Sequence, residues 1–400
     1  MRLGYKHEKD NIVANRYWTN TISPLLNNGS LESAVERKYA YPNRIGLYPG
    51  MTCQFFCSFC GRNYDARYDS KDIKTSFDVF KKIIDQDPKS DANWKDRFRI
   101  SGGLEPLTNP DIGNIISYGN SQGFKMQMYT NGYALTPAFL MKQPGILDLE
   151  VMRISLYGFD QDSYHKTTKN KKGYHIVKNN LKEFCKLVPQ TNSSIKVGVN
   201  WIILPGHSDD LKAVFKMVAE INSVSDFKIS FITLREDFSN SNNYISNEER
   251  EKLHNIFLEI EKDTDLHIDY GYALHNVRHG IISGPIKMAT HEQMDGYGFP
   301  QVSTAIDSLG NLYVYHESGF LDRPGSDRYI IGNAKEKSVE QIVRAHIEGR
   351  GIKPKPFDVG FLDAFDHTTT LLIHEATQYK NQGLDWKKEL ERKWKSPTQI

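Results

Sequence analysis

The chain has 400 residues, 39% of them hydrophobic and 25% charged, with 51 Lys and Arg against 49 Asp and Glu for a formal net charge of +2. That is apolar material for a large core, either one α/β barrel or a barrel with a smaller companion. A charge this balanced argues against nucleic acid or an anionic membrane as the main partner. No run of about 18 apolar residues spans a bilayer, and the polar residues 1–10 carry no secretory signal. Four cysteines grouped three plus one make no disulfide framework, so the chain reads as cytoplasmic and reducing.

Residues 1–44 are polar and read as an N-terminal cap, with a helix in 30–39. A strand at 44–48 feeds a cysteine-bearing loop at 51–61, and a helix at 77–84 follows with Ser76 as its cap. The alternation continues with strands at 98–101, 125–129, 149–157, 195–204 and 227–234. Helices at 110–119, 136–142, 174–187, 209–221 and 247–263 separate and follow them. Six strand-then-helix units imply parallel strands with right-handed crossovers, two units short of an eightfold barrel. An open doubly wound sheet is the alternative. From about residue 275 the rhythm becomes α+β: 301–307 and 312–315 form a hairpin around Gly310, followed by a Gly332-Asn333 turn. Helices at 339–347 and 362–379 come next, and the Lys/Glu-rich stretch 387–395 reads as a solvated surface helix. The expected organisation is a cap over 1–44, a partial barrel over 45–274 and a smaller α+β unit over 275–400.

Cys53, Cys57 and Cys60 fall within eight residues, while Cys185 lies far away in mid-helix, where a small core residue fits. Thiolates are the soft ligands of iron–sulfur clusters, and three of them leave one iron open. Two other readings compete. A structural zinc site wants four closed ligands. Inert buried cysteines would sit in a loop rich in Gly, Ser and Arg, a poor place to bury them. The spacing, with Phe59 before the last cysteine, resembles the cluster loop of the radical S-adenosylmethionine (SAM) superfamily. The resemblance implies a partial (β/α)6 barrel, one [4Fe–4S] cluster on the three thiols, and SAM chelating the open iron. It also implies that Phe59 lies beside the adenine.

In parallel α/β folds, ligands sit at the carboxyl ends of the strands. Gly102-Gly103-Leu104-Glu105-Pro106 ends the second strand and is similar to the family's Gly-Gly-Glu-Pro motif, with Leu104 inserted. This implies SAM contacts at Gly102, Gly103 and Glu105; the plain alternative is a glycine turn. Arg153, Ser155 and Tyr157 share one strand face by the two-residue period. A buried Arg needs an anionic partner, and the family places serine or arginine near the SAM ribose or carboxylate. A structural ion pair would also satisfy Arg153. Asn131 and Asn200 are further candidates for SAM contacts, or simple turn formers.

The C-terminal hairpin resembles the SPASM or twitch extension of the same superfamily, but no cysteine follows Cys185, and Tyr315 or His316 stands where a ligand would be expected. The resemblance therefore implies a lid or substrate wall without auxiliary clusters. It favours redox-neutral elimination, as in dehydration or deamination, or deoxygenation with an external donor such as flavodoxin or ferredoxin. Residues 102–110 and 316–324 are similar to members that tailor sugars in antibiotic pathways, which implies a carbohydrate-like substrate: an aminosugar, aminoglycoside or nucleotide sugar. Such chemistry needs titratable groups in the cavity. The candidates are His316, Glu317, Asp322, Arg323 and His165, with Tyr157 and Glu236 at strand ends. His316 on the surface, and Asp322-Arg323 as a local ion pair, are the plain readings. Two rival functions stay open: radical modification of a ribosomal peptide, and a zinc-bound structural or nucleic-acid-binding protein.

Overall fold

A computed structural model describes residues 17–60, 67–237, 244–282, 288–320, 323–349 and 351–395; Asp322 lies outside them. Among the described residues ten strands form one sheet: β1 (Arg44–Tyr48), β2 (Phe98–Ile100), β3 (Gln127–Thr130), β4 (Val151–Leu156), β5 (Lys196–Ile203), β6 (Phe231–Glu236), β7 (His267–Tyr270), β8 (Ser303–Asp307), β9 (Asn311–Tyr313) and β10 (Ile330–Asn333). Their order is β10-β9-β8-β1-β2-β3-β4-β5-β6-β7. Strands β1 to β7 and β8 run parallel, and β9 and β10 add antiparallel at one edge.

The two faces of this sheet differ because side chains alternate along each strand. Ile45 and Leu47, Phe98 and Ile100, Met152 and Ile154, Val197 and Val199, and Ile232 and Leu234 join one core. Helices Ser76–Asp85, Ile112–Ser121, Gly173–Leu187, Asp210–Asn222 and Asn247–Asp263 complete that core with their own buried residues. The intervening residues include Arg44, Arg99, Arg153, Ser155, Asn200 and Arg235. A parallel sheet covered on both faces is usually apolar throughout. Here the inner face is polar, as befits a lumen that binds something.

The partial barrel stands, with differences at its margins. Two parallel strands exceed the six expected. His267-Ile-Asp-Tyr270 is too short and polar to announce β7. Strand β8 lies beside β1 in register from Arg44↔Ser303 to Tyr48↔Asp307, so the sheet runs across the boundary expected at residue 275. The expected Gly332-Asn333 turn is part of β10, paired with β9. Thr75, not Ser76, occupies the cap of its helix; buried Ser76 instead accepts from Asn109 Nδ2 at 3.0 Å. The Lys/Glu-rich C-terminal stretch is not a solvated helix. Helix Trp386–Trp394 buries Trp386, Leu390 and Trp394, a stripe at i, i+4 and i+8. Trp394 packs against Tyr17 with centroids 5.6 Å apart and donates Nε1–H to Glu375 at 2.8 Å. No helix among the described residues is long and apolar enough to cross a membrane.

Candidate active site

The loop that follows β1 is clamped from two sides. On one side the Glu105 N–H donates to the Thr52 carbonyl at 2.8 Å, and Thr108 Oγ1 accepts from the Met51 N–H at 2.9 Å. A Cβ on Gly50 would stand 2.4 Å from the Leu104 carbonyl, so only glycine allows this approach. On the other side, the Phe56 and Ser58 N–H groups donate to Thr168 and Thr167 at 2.9 and 3.1 Å. Cys57 is buried, Cys53 and Cys60 are half-buried, and none is in a disulfide. Asn131 Nδ2 lies 3.6 Å from Cys53 Sγ, and the Phe59 ring centroid 5.1 Å from that of Tyr157. Burial, and then the Cys57 thiol, pushes the Tyr157 phenol up, so it stays protonated; Ser155 hydrogen-bonds it.

Gly102 and Gly103 adopt φ of +62° and +61°, and a Cβ on Gly102 would meet the Tyr48 ring at 2.2 Å. Both features demand glycine. The inserted Leu104 is buried against Tyr68 and Ile73, beside Met51 and Cys53. Glu105 is buried and accepts from the Leu107 N–H at 3.2 Å, the Asn131 N–H at 2.8 Å and the Thr130 hydroxyl. Burial raises its pKa despite those bonds. Its carboxylate fastens the end of β2 to the end of β3.

The remaining sequence candidates divide by face. Ser155 and Asn200 are register partners on the inner face, and the buried Asn200 Oδ1 has no hydrogen-bond partner. Arg153 lies two residues deeper, donating to Gln127 Oε1 at 3.2 Å with Tyr129 and Phe231 rings each 5.3 Å away. It lines a cavity of about 220 Å³ among Asp96, Lys125, Glu150 and Lys196, at the opposite end of the strands from the cysteines. Glu236 points outward, into a buried ion pair with Arg250 of helix Asn247–Asp263. Its neighbour Arg235 takes the inner face instead. His165 sits on helix Gln161–Thr168, its buried Nδ1 without a partner.

His316 is no surface residue. It is 3% exposed, with Nε2 3.1 Å from Ser303 Oγ and Nδ1 3.5 Å from Asp366 Oδ1. Its N–H donates to Asp366 Oδ2 at 3.0 Å and its carbonyl accepts from the Tyr48 hydroxyl at 3.1 Å. Glu317 next to it keeps 32% of its side chain exposed and pairs with Arg323 at 3.4 Å. Burial first, then Asp363 and Asp366, pushes Glu317 up to about 7 against the pull of Arg323 and Arg235. Arg323 feels Cys60 as well as Glu317, which sets this pair beside the cysteine loop. Sequence reasoning missed Asp363, Asp366, Arg44, Arg99, Tyr129 and Arg235. The first two had a signal, an acidic cap before a long helix; the others are ordinary strand residues. Among the described residues, the His/Cys/Asp/Glu trio with ligand atoms within 4.8 Å of one another is His316, Asp363 and Asp366, not the cysteines. Those carboxylates already cap helix Ala364–Asn381 and hold His316.

The Radical SAM superfamily model matches residues 47–218. Over 381 residues the chain is 37% identical to the dTDP-4-amino-4,6-dideoxy-D-glucose ammonia-lyase of Streptomyces venezuelae, covering 92% of this chain and 77% of that protein. The chain belongs to the radical SAM superfamily. It is also 24% identical over 174 residues to an S-adenosylmethionine-dependent nucleotide dehydratase of Selenomonas ruminantium, covering 42% of this chain and 58% of that one. Streptococcus suis SuiB bound to its precursor peptide SuiA shares the fold, with a TM-score of 0.54 at 13% identity, over 86% of this chain and 73% of that one. Radical SAM enzymes use a [4Fe–4S] cluster and SAM. This radical SAM enzyme offers donors that fit both: three soft thiols on one clamped loop, a glycine pair that admits close approach, and an unpaired Asn200 acceptor. The zinc reading gives way.

Proposed function

We propose that this radical SAM enzyme is a lyase for a nucleotide-linked amino sugar, eliminating ammonia, or water in a close analogue, from the carbon beside the one that loses hydrogen. The observation that carries the reading is the 37% identity, over 92% of this chain, to an enzyme named for ammonia loss from such a sugar. In this reading Cys53, Cys57 and Cys60 hold the cluster. The Gly102-Gly103 backbone, Asn131, Ser155 and Asn200 take the polar groups of SAM, Phe59 covers the adenine, and Glu105 holds the strand ends in place behind them. Bound together, cluster and SAM supply the 5′-deoxyadenosyl radical that removes a hydrogen atom.

The rest is work for side chains. A radical on a hydroxyl-bearing carbon makes that hydroxyl acidic. Glu317, titrating at about 7, is matched to take its proton or to protonate the leaving group at neutral pH. Arg323 orients Glu317, and His316 fixes the turn that carries it through Asp366. The protonated Tyr157 donates to substrate or screens the thiols. Atoms balance without an oxidant: an H–C–OH beside an H–C–NH₂ becomes a carbonyl beside a CH₂, plus ammonia, and where 5′-deoxyadenosine leaves with the abstracted hydrogen the product radical takes one electron from the external donor and one proton. Reduction of the cluster is left to an external donor such as flavodoxin or ferredoxin.

The reading is tested with protein reconstituted without oxygen and given SAM, a reductant and one substrate at a time. Nucleotide amino sugar should yield 5′-deoxyadenosine together with ammonia, whereas an unlinked aminoglycoside or a peptide should not. Coupled 5′-deoxyadenosine with the peptide and none with the sugar would transfer the enzyme to the rival class.

A further inference from the structure

The cysteine loop leans on a lysine-rich corner of the surface. Ser58, the exposed residue that follows Cys57, donates its N–H to the Thr167 carbonyl at 3.1 Å, and Phe56 donates to Thr168 at 2.9 Å. Asn170 Nδ2 donates to the Gln54 carbonyl at 3.3 Å. Interleaved with these anchors are Lys166, Lys169, Lys171 and Lys172, all four exposed. Residues 163–182 contain no Asp or Glu, and among the described residues none of the four lysines forms an ion pair. The nearest acids along the chain are Asp160 and Asp162, at the far end of helix Gln161–Thr168, where Asp160 accepts the Ser163 N–H at 2.8 Å. In the next helix the lysines are neutralised: Lys178 and Lys182 share Glu220, and Lys186 holds Glu183.

Local stability does not account for the corner. The C-terminus of helix Gln161–Thr168 favours cations, which suits Lys166 and Lys169. Lys171 and Lys172 instead stand at the start of helix Gly173–Leu187, where the helix dipole repels positive charge. Lys169 also holds φ of +60°, a conformation that glycine takes with less strain. The chain is nearly neutral at +2, so these charges are a local excess and not a share of general basicity. A patch of one sign attracts a partner of the other and sets its orientation at encounter. An electron delivered at this face meets the thiol-bearing loop at Ser58 and Phe56, the residues hydrogen-bonded to Thr167 and Thr168.

We propose that Lys166, Lys169, Lys171 and Lys172 form the docking surface for a small acidic flavoprotein of the flavodoxin class. The proposal rests on the assignment of the cluster to Cys53, Cys57 and Cys60 and adds where its electron enters. One electron leaves the reduced flavin of the partner and enters the oxidised cluster; no bond forms or breaks between the two proteins.

The test titrates flavodoxin into anaerobically reconstituted enzyme and separately measures 5′-deoxyadenosine formed with reduced flavodoxin or with dithionite. A triple variant, Lys166→Gln with Lys171→Gln and Lys172→Gln, should weaken flavodoxin binding about tenfold or more at low salt. The difference from wild type should shrink as salt rises toward about 0.5 M. Flavodoxin-driven 5′-deoxyadenosine formation should fall with the affinity, while the dithionite-driven rate, cluster absorbance and SAM affinity hold. Lys125→Gln, at the opposite end of the strands, should bind flavodoxin as wild type does. A double charge reversal, Lys171→Glu with Lys172→Glu, should weaken binding further. Unchanged flavodoxin affinity in both multiple variants would remove the docking surface and leave the cluster assignment standing. An equal loss with dithionite would make the lysines structural or substrate-binding and overturn the proposal. So would wild-type binding to phosphatidylserine vesicles with none to flavodoxin. Wild-type protein that builds no cluster on these thiols would overturn the surface and the cluster assignment together.

Discussion

Glu105 accepts the backbone N–H of Asn131 at 2.8 Å, so the turn after β2 and the turn after β3 are one mechanical piece. Asn131 in turn reaches Cys53 Sγ at 3.6 Å. A residue expected to touch SAM therefore also sets the geometry of the loop that presents the thiols.

Glu105→Ala strands the Asn131 and Leu107 N–H groups, each costing about 1–3 kcal/mol if left buried and unpaired. The melting temperature should fall and SAM should bind more weakly, while iron–sulfur absorbance survives. Glu105→Gln, which keeps an acceptor, should lose less of both. Calorimetric SAM titration decides; unaltered affinity in the alanine variant would detach Glu105 from the site.

Cys57→Ala should lose the broad iron–sulfur absorbance after anaerobic reconstitution and make no 5′-deoxyadenosine. Cys185→Ala is the control: that thiol is 1% exposed in a helix and burial pushes it up to about 11, so it is inert. A Cys57 variant that still builds a cluster and cleaves SAM is incompatible with the ligand assignment.

Glu317 titrates at about 7 instead of its ordinary 4.5, which has two consequences. Activity should show an inflection near pH 7, and Glu317→Gln should lower kcat on the order of a hundredfold and abolish that inflection. For stability the sign is set by proton uptake. Between about 4.5 and about 7 the folded chain holds the proton that the unfolded chain has released, so this group's contribution to stability declines as pH rises through that window. Glu317→Gln should flatten that decline, as seen in melting temperatures measured from pH 4 to 8. A pH–rate profile shared by both proteins would take the acid–base role away from Glu317.

Neighbouring residues on β6 should behave oppositely. Glu236→Ala breaks a buried pair with Arg250 and should cost about 3–5 kcal/mol in denaturant unfolding, with activity per reconstituted cluster retained. Arg235→Gln should leave stability nearly unchanged and raise KM for substrate. The reverse pattern would mean that the strand's faces are misassigned.

Local regularities made much of this protein legible. Three thiols in eight residues are informative because sulfur chemistry depends on spacing along one loop, and the helix at Asn247–Asp263 was expected with the bounds it has. The strand-then-helix alternation likewise follows from side-chain periods that a single segment displays. The helix Trp386–Trp394 reads as solvated from sequence because its lysines and glutamates outnumber a three-residue buried stripe.

What the chain alone determined, then, is the cysteine-bearing loop, the parallel sheet and the glycine pair, since each depends on residues close together in sequence. Tertiary structure alone decided that β8 lies against β1, that His316 meets Asp366 fifty positions away, and that Glu236 faces a helix while Arg235 faces the lumen. It also decided the electrostatics. Fifty-one cations and forty-nine anions balance along the sequence, but folding sorts them by face, and the field in the lumen depends on which charges meet there and not on their sum.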